Sequence, residues 1–383
     1  MKKIVRITGS YFPAKKMGGA ATADYELDLA LTKLGYDVSV LTTYAGLDDY
    51  EPISSYNGIN VHRFNFYFHP NFFISFGLIF YFINSFLFKL KKIKSNYYFF
   101  FSGTWGITSI FLMFLCAIFS LNYSITPHGS LYSELINKKS LFFKKILSLP
   151  LKYALNHASF VHYTVKDEMD SAQHIHRNNV NAKVIPLGLN YNVMPQVSSV
   201  DAICFRRKYM QDSKNTLLLF VGRINWKKGL DLLFSSVKDI SNLEVLCIGP
   251  DDENYWHVLD KKFNLTGSSI QYIGALYGDE LSTAYASSDI FALTSYSENF
   301  AMTVIEACYY NNAIVMTNKV GVSCFFDEYS AAITSTSTNE INKVISRLVS
   351  DNAYRDSLAK NASSVCKIFD IDSTAEKIAA LVA

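Results

Sequence analysis

The chain has 383 residues, half of them apolar and 18% charged, which excludes a disordered protein and exceeds what one hydrophobic core of ordinary size organises. A net charge of +3 is too small to mark a nucleic-acid binder, so no nucleic-acid partner is expected. The six cysteines (Cys116, Cys204, Cys247, Cys308, Cys324, Cys366) form no C-x-x-C pair and have no histidine at metal-ligand spacing. Most sit in apolar runs and read as buried thiols of a reducing compartment, so a cytoplasmic location is expected.

Lys2 to Thr8 reads as a first strand, broken by Arg6, and not as a signal peptide. A loop with Gly18-Gly19 follows, then an apolar-periodic helix from Ala20 to Leu34 ended by Gly35, and a strand from Asp37 to Thr42. Phe72 to Phe88 is a run of 17 residues without a charge, next to Lys89, Lys91, Lys92 and Lys94. It falls short of the roughly 20 residues of a spanning helix. This run and Ile110 to Phe119 read as helices with greasy faces. Aromatic surface beside lysine favours the interface of an anionic leaflet, so a peripheral membrane contact is expected. A second basic cluster, Lys138, Lys139, Lys144 and Lys145, reads either as a solvated face or as a contact for an anion.

Strands are expected at Tyr97–Phe101, Tyr123–Thr126, Phe160–Thr164 and Lys183–Pro186, with helices from Ile107 and Val165 between them. Gly188 to Ser199 carries Asn190, Asn192, Pro195 and Ser198 without a period, and marks a domain boundary. The alternation then restarts. Strands are expected at Leu217–Val221, Leu243–Gly249, Ile270–Ile273, Ile290–Leu293 and Ile314–Thr317, with helices from Leu230, Glu253, Asp279 and Ala301. The fold class is therefore α/β, with two doubly wound Rossmann-like domains, residues 1–188 and 189–370, facing across a cleft. The last helix, 371–383, has a capping-box pattern in Ser373 and Glu376, and is expected to pack back on the amino-terminal domain.

Two constellations carry chemistry. In the first, Val221-Gly222-Arg223 precedes Trp226-Lys227-Lys228-Gly229. A buried strand ends in glycine, two cations follow, and a helix opens. Arg223 and Lys228 would suit a diphosphate there, or be solvated turn residues. In the second, Ser297-Glu298-Asn299-Phe300-Ala301-Met302 leads into a helix carrying Glu306. Free amides near Phe300 to Met302 would bind an anion or a sugar oxygen, and Glu298 in the loop and Glu306 on the helix would accept hydrogen bonds from a polyol. The bland alternative for Glu306 is a buried carboxylate bonded to backbone. His128, between Pro127 and Gly129 after the Tyr123–Thr126 strand, sits at a tight turn on the edge of a parallel sheet; His174 and His176 fall in a polar helix, and His62 and His69 in a strand and a loop.

The Glu-x7-Glu spacing, with Gly-Arg and Lys-Lys-Gly upstream, resembles the retaining GT-B glycosyltransferases known as family 4, of bacterial surface-polysaccharide type. Gly18-Gly19, Thr126-Pro127-His128-Gly129-Ser130 and Ile185-Pro186-Leu187-Gly188 match segments of that family in order. The resemblance implies that Arg223 and Lys228 hold the donor diphosphate and that Glu306 binds the ribose. It places Glu298 against the donor sugar with backbone from Asn299, Phe300 and Ala301 beside it, Gly18 and Gly19 near the donor phosphate, and His128 near the transferred sugar. Glu298 and His128 are then the candidate catalytic residues. Ala301 departs from the glycine of many relatives, Asn311-Asn312-Ala313 replaces a Gly-x-Pro turn, and Tyr98-Phe99-Phe100-Phe101 lacks the histidines often found on that strand.

The function expected is retaining transfer of a sugar from a UDP- or GDP-sugar to a glycan or lipid-linked glycan, in O-antigen, capsule or exopolysaccharide assembly, with no cofactor and no metal. Asp370-Ile371-Asp372 and Asp251-Asp252 read as helix-start residues, not as a metal-holding pair. A nucleotide-sugar epimerase of the same architecture and a non-catalytic, membrane-docked nucleotide-sugar-binding subunit are the rival readings.

Overall fold

The computed structural model describes residues 2–14, 19–47, 52–69, 72–132, 141–175 and 180–382; Gly18, Lys138, Lys139 and His176 lie outside them. The chain divides into two compact units, residues 1–188 with 371–383, and residues 189–370.

The first unit holds a sheet of β1 (Lys3–Thr8), β2 (Asp37–Thr43), β3 (Ile53–Tyr56), β4 (Ile59–Phe64), β5 (Tyr97–Ser102), β6 (Tyr123–Thr126), β7 (Phe160–Tyr163) and β8 (Ala182–Val184). Its order is β3-β4-β2-β1-β5-β6-β7-β8. Helices α1 (Gly19–Lys33), α2 (Phe76–Phe86), α3 (Leu90–Asn96), α4 (Ile107–Ile118), α5 (Leu141–His157) and α6 (Lys166–Ser171) connect the strands. All neighbours run parallel except β3 and β4, so the expected purely parallel sheet carries an antiparallel hairpin at one edge. Its cause is Asn57-Gly58, where both residues have positive φ (49° and 85°), the conformation of a two-residue hairpin turn. His174 lies in a turn past the end of α6, not in the helix expected of it.

The aromatic run of β5 explains why both faces of this sheet are covered. Phe99 and Phe101 pack with Phe82 and Phe86 of α2 and Met113 of α4, while Tyr98 and Phe100 face Leu27 and Leu31 of α1. A strand buried on both sides reads as a continuous apolar run, and this one does.

In the second unit, β9 (Thr216–Val221), β10 (Leu243–Ile248), β11 (Ile270–Tyr272), β12 (Ile290–Leu293), β13 (Ala313–Thr317) and β14 (Ala332–Thr334) are ordered β11-β10-β9-β12-β13-β14. Every pair is parallel. Renumbered within the unit this is 3-2-1-4-5-6, whose topological switch lies between β9 and β12. Its helices are α7 (Ser199–Tyr209), α8 (Leu230–Val237), α9 (Tyr255–Phe263), α10 (Gly278–Ala286), α11 (Met302–Tyr309), α12 (Thr338–Ser350) and α13 (Asn352–Val365). The one carboxylate in the buried β10, Glu244, accepts from the Gln211 and Asp212 amides (2.8 and 2.9 Å) and from Asn215 Nδ2 (3.1 Å), so it stitches a loop to the strand.

The terminal helix α14 (Ile371–Val382) is part of the first unit. Ile371, Ala375, Ile378 and Val382 join the cluster of Ile4, Leu31 and Val38, and Lys2 Nζ donates to the Val382 carbonyl at 2.6 Å. A Cβ on Gly188 would stand 2.4 Å from Ile371 Cα, so this close approach requires glycine. The helix begins at Ile371, which puts Ser373 inside its first turn; the Ser373–Glu376 pattern is therefore not a capping box around the helix start.

Arg6 is the one buried charge in β1, whose other charge, Lys3, is exposed. Its Nε and Nη2 each reach Asp28 at 2.6 Å, and Nη1 reaches Asp24 at 2.9 Å and Ser102 Oγ at 2.8 Å. Removing one partner of such a group leaves buried charge without compensation. Arg6→Met is therefore expected to destabilise the protein by about 3–5 kcal/mol, measured as the shift of the urea transition at neutral pH.

Candidate functional site

The loops that follow β9 and β12 meet at the switch point of the second sheet. After β9, Gly222 donates to the Ile248 carbonyl at 2.9 Å. Gly249, at φ 146°, lies so close that a Cβ there would come within 2.0 Å of the Gly222 carbonyl oxygen. Arg223 follows and is exposed. A short 3-10 turn, Trp226–Lys228, then ends in Gly229 at φ 64°, from which α8 starts. A Cβ on Gly229 would meet the Thr294 carbonyl oxygen at 2.0 Å. Thr294 Oγ1 donates to the Gly229 carbonyl at 2.8 Å, and the Tyr296 amide to the Lys227 carbonyl at 2.8 Å. Two glycines thus let three loops pack backbone to backbone.

Glu298 is in the loop after β12, where its amide donates to the Lys319 carbonyl and its own carbonyl accepts from Gly321, both at 3.0 Å. The loop after β13 therefore braces it. Its carboxylate forms an ion pair with Lys228, each side chain 20% exposed. Phe300 is buried edge-on against Phe369. Ala301 sits in the left-handed region (φ 68°, ψ 73°) as the residue before α11, which leaves the first amides of that helix without an intrahelical partner. The left-handed conformation accounts for glycine's fitness at this position; alanine holds it at a strain of about 1–2 kcal/mol. Glu306, in the second turn of α11, is half-buried. Burial pushes its carboxyl above the usual range, against the opposing pull of the Tyr285 hydroxyl, which donates to Oε2 at 2.7 Å. The bland alternative of a carboxylate bonded to backbone is thus replaced by a tyrosine partner.

In the first unit, Gly19 opens α1. His128 (φ 50°) and Gly129 (φ 77°) form two successive left-handed residues after β6. Glu168 of α6 accepts from the Gly129 amide and pins this turn. His128 Nε2 lies 3.2 Å from Asp24 Oδ1.

Arg223, Lys228, Glu298, Asn299, Phe300, Ala301 and Glu306 therefore belong to one unit, and Gly19 and His128 to the other. Sequence reasoning missed Asp24, Asp28, Glu168 and Tyr285. A signal for the first two was present: a charge inside an apolar strand (Arg6) followed by carboxylates four apart on the next helix. Asp251 is engaged at the start of α9, its two oxygens accepting from the Tyr255 and Trp256 amides at 2.7 and 3.0 Å. Among the described residues no group of three or more His, Cys, Asp or Glu side chains is placed to hold a metal, and no helix is long and apolar enough to cross a membrane.

Two Rossmann-like sheets of this kind make the GT-B glycosyltransferase fold, and solved structures of that fold match the chain end to end. Sucrose-phosphate synthase from Thermosynechococcus elongatus has a TM-score of 0.80 at 19% identity, covering 100% of this chain and 98% of its own. HepE from Anabaena, in complex with UDP and glucose, has a TM-score of 0.77 at 17% identity, covering 100% and 99%. The family model for Glycosyl transferases group 1 matches residues 203–365. Over its length the chain is 25% identical to a glycosyltransferase of Methanocaldococcus jannaschii, covering 94% of this chain and 92% of that one. It is 30% identical over 172 residues to the sulfoquinovosyl transferase of Arabidopsis thaliana, a match spanning 44% of this chain and only 33% of the plant protein.

The contact of Gly229 with Thr294 makes a specific demand. Gly229→Ala is expected to lower stability by more than about 1 kcal/mol and to lower the calorimetric Tm, because the added methyl meets backbone that has no rotamer to change.

Proposed function

We propose that the protein is a retaining glycosyltransferase that moves a sugar from a UDP- or GDP-sugar to an acceptor hydroxyl on a glycan or lipid-linked glycan, in bacterial surface-polysaccharide assembly. The observation that carries this reading is the Lys228–Glu298 ion pair between the loops after β9 and β12, with Arg223 in the first of these loops and α11, which carries Glu306, opening after the second. Exposed Arg223 and the Lys228 ammonium offer two positive charges to a diphosphate, and the first amides of α11, which no side chain caps, offer donors. Glu306, whose raised pKa reflects burial, suits a pair of ribose hydroxyls, which donate to it without bringing charge.

In the reaction the acceptor oxygen attacks C1 of the sugar on the face that the diphosphate is leaving. The C1–phosphate oxygen bond breaks, and the acceptor proton passes to a phosphate oxygen. Arg223 and Lys228 stabilise the charge that grows on the leaving diphosphate, where fixed cations contribute most. Glu298 orients the sugar and His128 stands near it. With two side-chain cations at the diphosphate, a metal is redundant. HepE, of the same fold, is solved with UDP and glucose, which favours a uridine donor among the two bases.

The acceptor side is proposed to work at the cytoplasmic face of a membrane. Phe76 and Phe80, four apart on the side of α2 opposite buried Leu78 and Phe82, are 67% and 70% exposed, and Phe88 is 76% exposed. Lys91, Lys92 and Lys94 of α3 are exposed beyond them. Rings beside lysines match an anionic leaflet in both hydrophobicity and charge. Phe76→Ser/Phe80→Ser is expected to abolish co-sedimentation with vesicles containing phosphatidylglycerol, and unchanged sedimentation would remove the membrane from the proposal.

The donor reading is tested by calorimetry with UDP and GDP, and by turnover of their sugars, in EDTA. Glu306→Ala is expected to weaken nucleotide binding about tenfold or more, the loss of roughly 1.4 kcal/mol or more of hydrogen bonding to a charged acceptor. Glu298→Ala is expected to leave nucleotide affinity nearly intact and to lower kcat. Equal affinity in wild type and Glu306→Ala sinks the ribose assignment, and turnover restored only by added magnesium or manganese sinks metal independence.

A further inference from the structure

The charges behind His128 form a closed set. Arg6 projects from β1 into α1, where Asp28 takes its two-pronged fork at 2.6 Å on both arms and also accepts from the Tyr11 hydroxyl at 2.9 Å. Fork-to-carboxylate pairing of this kind uses the full charge of one carboxylate. Asp24, one turn earlier, receives from Arg6 only Nη1, at 2.9 Å, and is also hydrogen-bonded by Ser102. Arg6, Asp24 and Asp28 are all at most 5% exposed at the side chain, so two carboxylates face one guanidinium out of water. The group that approaches the second carboxylate is His128, with Nε2 at 3.2 Å from Oδ1. An ionised carboxylate accepts only, so the ring must donate from Nε2.

We propose that Asp24 is the positioning residue of His128: it fixes the ring through the Nε2–H bond and, as the uncompensated charge of the Arg6–Asp24–Asp28 set, holds it as an imidazolium. This rests on the reading that His128 stands near the transferred sugar. It assigns the histidine a donor's role through Nδ1–H and denies it that of a base, which fits a reaction in which the phosphate takes the acceptor proton.

The two carboxylates that face His128 agree in sign. Burial alone would lower the pKa of His128, but the Asp24 carboxylate, its hydrogen bond and Glu168 outweigh burial and Arg6, and hold it above the ordinary value. For Asp24, burial raises the pKa and Arg6 and His128 overcome it, so it stays ionised. Glu168 faces the turn from α6, its Oε2 accepting from the Thr164 amide and hydroxyl at 2.9 Å. His162 on β7 adds no charge: burial pushes it down to about 4, and Nε2 donates to the Ile185 carbonyl at 2.7 Å. With a folded pKa above the unfolded one, the Asp24–His128 pair stabilises fully below the unfolded value, and that contribution is lost as pH rises through the folded value.

The test uses the full chain labelled with 15N-histidine, with His128→Gln to assign the resonance. In wild type, Nε2 of His128 is expected to remain protonated throughout, while Nδ1 titrates above the ordinary value of about 6.5. An Nδ1–H neutral tautomer at neutral pH, or a midpoint below the ordinary value, overturns the proposal. In Asp24→Asn the midpoint is expected to fall by about one unit or more. Above both midpoints kcat then falls about tenfold, with KM for the donor changed less than about twofold. An unmoved midpoint in folded Asp24→Asn also overturns it; should that variant not fold, the wild-type titration decides. If no nucleotide sugar is turned over by wild type, the transferase reading fails, while the titration still judges Asp24.

Discussion

The constraint on which the second unit turns is the backbone contact between the loops after β9 and β12. At a topological switch, neighbouring strands send their connections to opposite faces of the sheet, and a crevice opens between their carboxyl ends. Here Gly229 lets the first loop lie against Thr294, and hydrogen bonds from Thr294 and Tyr296 close the contact. That fixes Lys228 against Glu298 and sets the start of α8 and the approach to α11 in one frame. A side chain at Gly229 would separate the loops, and with them the cation and the carboxylate that the site combines.

The same economy of backbone approach recurs at Gly222–Gly249 on the far side of β9, where the β10 loop closes in. Crevice walls made of backbone are rigid and offer amides, whereas the charged groups stand on short tethers: Arg223 directly after Gly222, and Lys228 directly before Gly229. Glycine therefore serves geometry, and the residue next to it serves charge.

Much of this was legible in the sequence because parallel strands buried on both faces leave strong runs. Leu217–Val221 and Ile290–Leu293 stand out, and the motifs that follow them are short and local. The hairpin of β3 and β4 carried an equally local signal in Asn57-Gly58, but its strands are at a sheet edge, with only partial burial in β3, so no apolar run drew attention to them. The capping box at Ser373 misled for a related reason. Its residues fit a helix start, yet the helix opens at Ile371, the bound expected for it, where that residue packs against Gly188, so Ser373 falls inside the first turn. The link from these charges to His128 was harder to read, since Arg6 and Asp24 come from the first strand and helix, whereas His128 and Gly129's partner Glu168 lie more than a hundred residues on. Their pairing exists only once the sheet order is known.

The two charge systems follow opposite rules. Around Arg6 the set is deeply buried, and burial makes incomplete neutralisation expensive, so the protein supplies its own second cation in His128. At the switch point of the second unit, Lys228 and Glu298 are each partly exposed, and their pairing holds two side chains in place at modest energetic cost. An incoming diphosphate offers Lys228 a more highly charged acceptor than a single carboxylate. On the proposed function, Glu298 would then be released toward the hydroxyl donors of a sugar. A pair that is weak because water reaches it is one that a ligand displaces at little loss, and the same pair keeps the ammonium from wandering before the ligand arrives. Deep burial would have frozen Lys228 onto Glu298; full exposure would have left both groups unaimed.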